Sequence, residues 1–62
     1  MPPLLRTIER HLERTGLTPT RFGRESIGDP RLIDDLKNGR EPRARTAARV
    51  MAFIAAREGR GS

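Results

Sequence analysis

Arg31, Arg40, Arg43 and Arg45 crowd the centre of this 62-residue chain, and only Glu41 interrupts the last three with a negative charge. A guanidinium carries a planar fork of donors that suits phosphate oxygens, and also guanine O6 and N7 together. The chemistry on offer is therefore recognition of a polyanion. The composition agrees, with 13 Lys+Arg against 8 Asp+Glu and a formal net charge of +5. Such a balance favours nucleic acid first, then an acidic membrane or protein. Twelve of the thirteen bases are arginine, a bias that GC-rich codon choice explains equally well, though it does not explain where they sit.

Catalytic chemistry finds little support. The single histidine, His11, falls on a predicted helix with no metal-spaced ligand beside it, and reads as a surface or half-buried residue. Asp34 and Asp35 are adjacent, so on a helix they diverge by about 100° and make no paired-carboxylate site. No phosphate-binding glycine loop, nucleophile elbow or zinc motif appears, and a domain this small has no room for a deep cleft. With no cysteine, neither disulfides nor thiolate-held zinc can brace the fold. No enzyme activity, metal, cofactor or small-molecule substrate is expected. No apolar run approaches the roughly 20 residues of a membrane span, and no signal peptide is seen, so a cytoplasmic location is expected.

Helices must position these groups. Leu5, Ile8 and Leu12, with Leu4 beside them, form an apolar stripe that predicts a helix from about Pro3 to Thr15, entered through Pro2 and Pro3 and capped by Gly16. Glu9 and Glu13 are expected to pair with Arg6, Arg10 and Arg14 on its outer side. Thr18-Pro19 signals a second helix to about Ser26 that carries Phe22. A turn centres on Ile27, Gly28 and Asp29. Asp29, read as an N-cap, then starts a third helix from Pro30 to about Lys37, with Ile33 and Leu36 inward and Asn38-Gly39 as its stop. A basic linker leads to a last helix from near Ala44, with Ala47, Val50, Met51 and Ile54 on one face and Phe53 partly to the side. Residues 1–58 make one all-α domain, and residues 59–62 read as a frayed tail. Two helices joined steeply by a short glycine turn can present one of them to a DNA major groove.

From Phe22-Gly23 through Gly28, Ile33, Leu36 and Asn38-Gly39, the chain resembles the phage repressor/Cro family of helix-turn-helix proteins, often called Xre-like. The likeness runs roughly from Leu17 to Ile54. It departs from the family pattern where Ile27 takes the usual place of the turn glycine and where Gly23 replaces the commoner alanine. The resemblance implies a compact four-helix helix-turn-helix domain, lambda-repressor-like, that binds duplex DNA as a transcriptional regulator, often a repressor.

On that frame the third helix would enter the major groove. Arg31 becomes the leading base reader, with a phosphate or an internal carboxylate as its other outlets. Asp34 stands open between accepting from cytosine N4 and an ion pair. Asp35 reads better as a partner for Arg31 or the linker. Thr18, Thr20, Arg21, Asn38, Arg40, Arg43 and Arg45 would meet phosphates, and Arg24 is a weaker candidate. Backbone N–H groups of Asn38 to Arg40 and the start of the last helix would add anion contacts. With no Trp or Tyr, stacking on single-stranded bases is poorly served, which favours duplex DNA over RNA. A homodimer is expected, through Leu4, Met51, Phe53 and Ile54, unless those residues only close the monomer core. The other classes in play are a protein-binding adaptor or antitoxin-like module, and a nonspecific nucleic-acid binder.

Overall fold

The computed structural model describes residues 4–60. Within them the chain forms four helices and no strand: α1 (Leu4–Thr15), α2 (Pro19–Ile27), α3 (Leu32–Lys37) and α4 (Ala44–Arg60). The expected all-α architecture is what the chain adopts. Pro2, Pro3, Gly61 and Ser62, to which sequence roles were given, lie outside the described residues.

Each helix stops or starts for a local reason. Gly16 adopts φ 76° and returns its N–H to the Leu12 carbonyl at 2.8 Å. Thr18 then caps α2, its hydroxyl accepting the Arg21 N–H at 3.2 Å, with Pro19 in the first turn. Gly28 ends α2 in the left-handed region at φ 74°, its N–H bonded to the Arg24 carbonyl, while the Asp29 N–H reaches the Gly23 carbonyl at 3.1 Å. The turn glycine falls one place late because α2 keeps Ile27 as its last residue and packs it, half-buried, against the core.

Helix α3 starts at Leu32, two residues later than the sequence suggested. The Asp29 carboxylate accepts the Arg31 N–H at 2.9 Å and its carbonyl takes the Leu32 N–H at 3.3 Å. Pro30 and Arg31 are thereby held in a turn, with Arg31 at ψ 4°, outside the helical range. Asp29 still caps, but it caps that turn.

Ile8, Phe22, Leu32, Ile33, Val50 and Ile54 form the buried core, and Leu4, Leu5, Leu12, Leu17, Leu36 and Phe53 pack around it. α2 packs on both α3 and α4, and α1 on the same two helices. Gly23 is the closest approach. A Cβ there would lie 2.2 Å from the Asp29 carbonyl oxygen and 3.2 Å from the Leu32 Cβ, so alanine, the commoner residue in the resembling family, cannot be fitted without moving backbone.

Three expectations give way to the observed structure. His11 is neither exposed nor half-buried. It is 1% exposed and sits edge-on to Phe22 and Phe53, with ring centroids at 5.6 and 6.3 Å. Met51 is not on the inward face. Val50, fully buried, marks the centre of that face, and Met51 is turned about 100° from it, leaving it 45% exposed. Phe53 takes the inward place instead, edge-on to Phe22 at 5.4 Å. Finally, the helix continues through Gly59 to Arg60 where a frayed tail was expected from residue 59. Glu58 anchors its last turn, accepting from His11 Nδ1 at 3.0 Å and from Arg14 at 2.9 Å.

Candidate nucleic-acid interface

Helix α3 buries Leu32 and Ile33, half-buries Asp35 and Leu36, and exposes Asp34 and Lys37. With Arg31 ahead of it, this sets Arg31, Asp34 and Lys37 at three-residue spacing along one solvent-facing stripe, followed by exposed Asn38. The stripe alternates positive, negative, positive. Arg31 forms no ion pair with Asp34 or Asp35, so the internal outlet considered for its guanidinium is unused. Asp34 likewise has no side-chain partner among the described residues. Lys37 was not a sequence candidate, and its place two steps of three beyond Arg31 was the signal available.

Asp35 behaves as the structural reading favoured. It turns to the linker, where its carboxylate lies 3.7 Å from the Arg40 guanidinium and its carbonyl accepts the Arg40 N–H at 3.0 Å. Arg40 is thus tethered, although its side chain remains largely exposed. The expectation that backbone N–H groups of Asn38 to Arg40 bind an anion fails. Those three donors already serve the carbonyls of Asp34, Leu36 and Asp35, because the chain reverses tightly after α3.

Arg43 and Arg45 are exposed and carry no ion pair among the described residues, which leaves both guanidinium groups open to an external anion. Arg49, one turn beyond Arg45 on α4, shares that state. Arg49 was not a sequence candidate, and its place four residues beyond Arg45 on the same helix was the signal available. At the start of α2, Thr20 is exposed, and Thr18 spends its hydroxyl oxygen on the cap.

Arg21 is less available than the sequence suggested. Its Nε donates to Glu25, four residues on, and Arg57 of α4 donates to the other oxygen of the same carboxylate. The Arg21 hydrogen bond holds the Glu25 carboxyl below its ordinary range. Partial desolvation opposes this, and the charges of Arg21 and Arg57 add to it. Arg57 also lies over the Phe53 ring, 4.9 Å from its centroid. Arg24, the weaker candidate, is exposed and without an ion pair among the described residues.

Two further expectations are corrected here. Arg14 pairs with Glu58 across to α4, not with Glu9 or Glu13, and Arg6 and Arg10 form no ion pair with those glutamates either. Of the residues offered for a dimer contact, Ile54 is buried in the monomer core, Phe53 is packed in the aromatic cluster and Leu4 is half-buried against the core. Met51 alone of the four presents a large exposed apolar surface.

Among the described residues no group of His, Cys, Asp and Glu could hold a metal ion, and no helix is long and apolar enough to cross a membrane. The fold defines a small all-α domain that carries an exposed, mixed-charge stripe on α3 and, in the linker and α4, arginines without ion pairs among the described residues. The chain matches no protein-family model, no curated protein and no solved structure.

Proposed function

We propose that this chain binds duplex DNA and regulates transcription, as a repressor acting in the cytoplasm on nucleoid DNA. The observation that carries the reading is the exposed stripe of Arg31, Asp34 and Lys37, together with Arg43 and Arg45, which have no ion pair among the described residues. In this arrangement the stripe of residues 31–37 enters the major groove. Arg31 reads a guanine edge, and Asp34 accepts from a cytosine N4. Arg43 and Arg45 hold phosphates and set the orientation, while Thr18 and Thr20 approach the backbone from the α2 side. Arg21 and Arg40 join after exchanging a carboxylate for a phosphate. Asp34 repels the DNA backbone and therefore sharpens choice of site at some expense of affinity. The resemblance of residues 17–54 to the phage repressor/Cro family supports the same reading.

The test is selection of bound duplexes from a random library at near-physiological salt. Enrichment of a short motif is the expected result, and an inverted repeat with half-sites about 34 Å apart is expected if two copies bind together. Binding without enrichment would replace this reading with nonspecific nucleic-acid binding. Absence of any retained DNA would replace it with a protein-binding module.

A further inference from the structure

Helix α1 presents a row of like charge to a groove. Arg6, Arg10 and Arg14 are exposed, stand four residues apart, and line one wall of a furrow of about 350 Å³ between α1 and α4. Met51, Ile54 and Ala55 supply the apolar wall on α4. Arg14 is engaged by Glu58, and that bridge between the two helices marks one end of the groove. Arg6 and Arg10 close no ion pair among the described residues, although Glu9 and Glu13 lie within a turn of them on the same helix. Like charges at four-residue spacing repel and weaken a helix, so α1 carries a strain that an anion laid along the row would relieve. Beside the row, Met51 leaves 45% of its surface in water. No residue lining the groove belongs to the set proposed to meet DNA.

We infer that this groove docks an acidic amphipathic helix of a partner protein. The arginine row sets the sign of the partner's charge, and the apolar wall sets its class. The row spans about 12 Å of α1, a little over two turns, so a second helix can repeat carboxylates along it in step. Asp or Glu at four-residue spacing then meets Arg6 and Arg10, and an adjoining apolar stripe covers Met51 and Ala55. Duplex DNA would gain the charge but nothing from the apolar wall. A lipid surface would gain little from it either, because Ile54 is buried and Ala55 is short, which leaves Met51 as the large side chain able to enter a bilayer. A second copy of this chain, laid antiparallel about a two-fold axis, sets the row on the same row, arginine against arginine. Exposed ion pairs are individually weak and screened by salt, so the docking weakens as salt rises. It does not depend on DNA binding.

Selection of random helical peptides from a displayed library, against the whole chain and without DNA, tests it. Enriched peptides are expected to carry Asp or Glu four residues apart beside an apolar stripe. Synthetic copies are then titrated against variants whose helix content is checked by circular dichroism. Arg6→Ala with Arg10→Ala is expected to weaken the peptide about tenfold and to leave duplex binding nearly unchanged. Met51→Gln is expected to weaken the peptide several-fold. Arg43→Ala with Arg45→Ala removes the same charge elsewhere and is expected to spare the peptide while weakening the duplex. Enrichment of peptides without the acidic row overturns the proposal, as does an equal loss in both double variants, which would reduce it to general attraction to a basic chain. No enrichment also overturns it, and binding to phosphatidylserine vesicles in that case would make a lipid surface the occupant. Self-association of the chain that excludes the peptide would make a second copy the occupant. Peptide and duplex are scored separately, so either reading can fail while the other stands.

Discussion

Arg31 and Gly23 show how much rests on single positions. Arg31 is the exposed guanidinium at the start of the α3 stripe, with no carboxylate engaged among the described residues. Arg31→Ala is expected to cost on the order of 1–3 kcal/mol of binding at one base position of the selected site. Competition among single-base variants of that site checks this, and an equal loss across all of them would make Arg31 a backbone contact. Gly23 was legible as a small residue but not as an obligatory one. Its constraint comes from the Asp29 carbonyl, which α2 meets only after the chain has turned at Gly28. Gly23→Ala is expected to destabilise the fold by about 1–3 kcal/mol, despite alanine's better helix propensity, because backbone must shift to admit the methyl group. Chemical denaturation followed by circular dichroism measures it. His11 was misread for a similar reason. A lone histidine on a helix gives no sign that two phenylalanines from other helices will enclose it.

The elements themselves were largely visible in the caps. Thr18-Pro19, Gly16 and Gly28 end or begin helices where local chemistry places them, since each acts through bonds to near neighbours. Asp29 was read as the N-cap of α3, but Arg31 stands at that position and Asp29 closes the turn before it, so the helix starts two residues later: a carboxylate can close a turn as readily as it opens a helix. Partnerships between elements were not visible. Arg21 to Glu25 is a local pair, but Arg57 to Glu25 and Arg14 to Glu58 join helices distant in sequence. The linker arginines were legible as a unit, and what remained hidden was that Asp35 engages Arg40 while Arg43 has no ion pair among the described residues. Arg43→Ala is therefore expected to weaken binding to every duplex and to lower the salt slope of log K by about one unit. Titrations at several salt concentrations read both, and an unchanged slope would remove Arg43 from the phosphate contacts.

For the whole molecule, two carboxylates join helices distant in sequence, Glu58 to α1 and Glu25 to α4. The ring N–H of His11 holds the Glu58 carboxyl below the ordinary carboxylate range, partial desolvation opposes it, and Arg14 adds to the pull. Glu25 is lowered in the same sense. A carboxylate whose folded pKa is depressed binds fewer protons than its unfolded counterpart. Its contribution is therefore complete above the unfolded value, near about 4.3 for glutamate, and is lost as pH falls through the folded value. Thermal stability is expected to decline from about pH 4.5 downward. Glu58→Gln is expected to be less stable than the wild type at neutral pH and to show a shallower acid decline. Melting curves from pH 7 to pH 3 decide it, and parallel profiles would exclude Glu58 from the acid response.

The His11–Glu58 contact also has a temporal side. Its partners stand 47 positions apart, and the carboxylate arrives on the final turn of the final helix. Closing so long a loop is entropically slow, whereas α2, its glycine turn and α3 meet through neighbours close in sequence. The α2–α3 unit is therefore expected to form first, and the clasp of α1 to the end of α4 to close after the rate-limiting barrier. Stopped-flow kinetics of Glu58→Gln should then show nearly wild-type refolding with faster unfolding. The clasp would act as a brake on opening, governing how long a folded molecule lasts and not how quickly it forms.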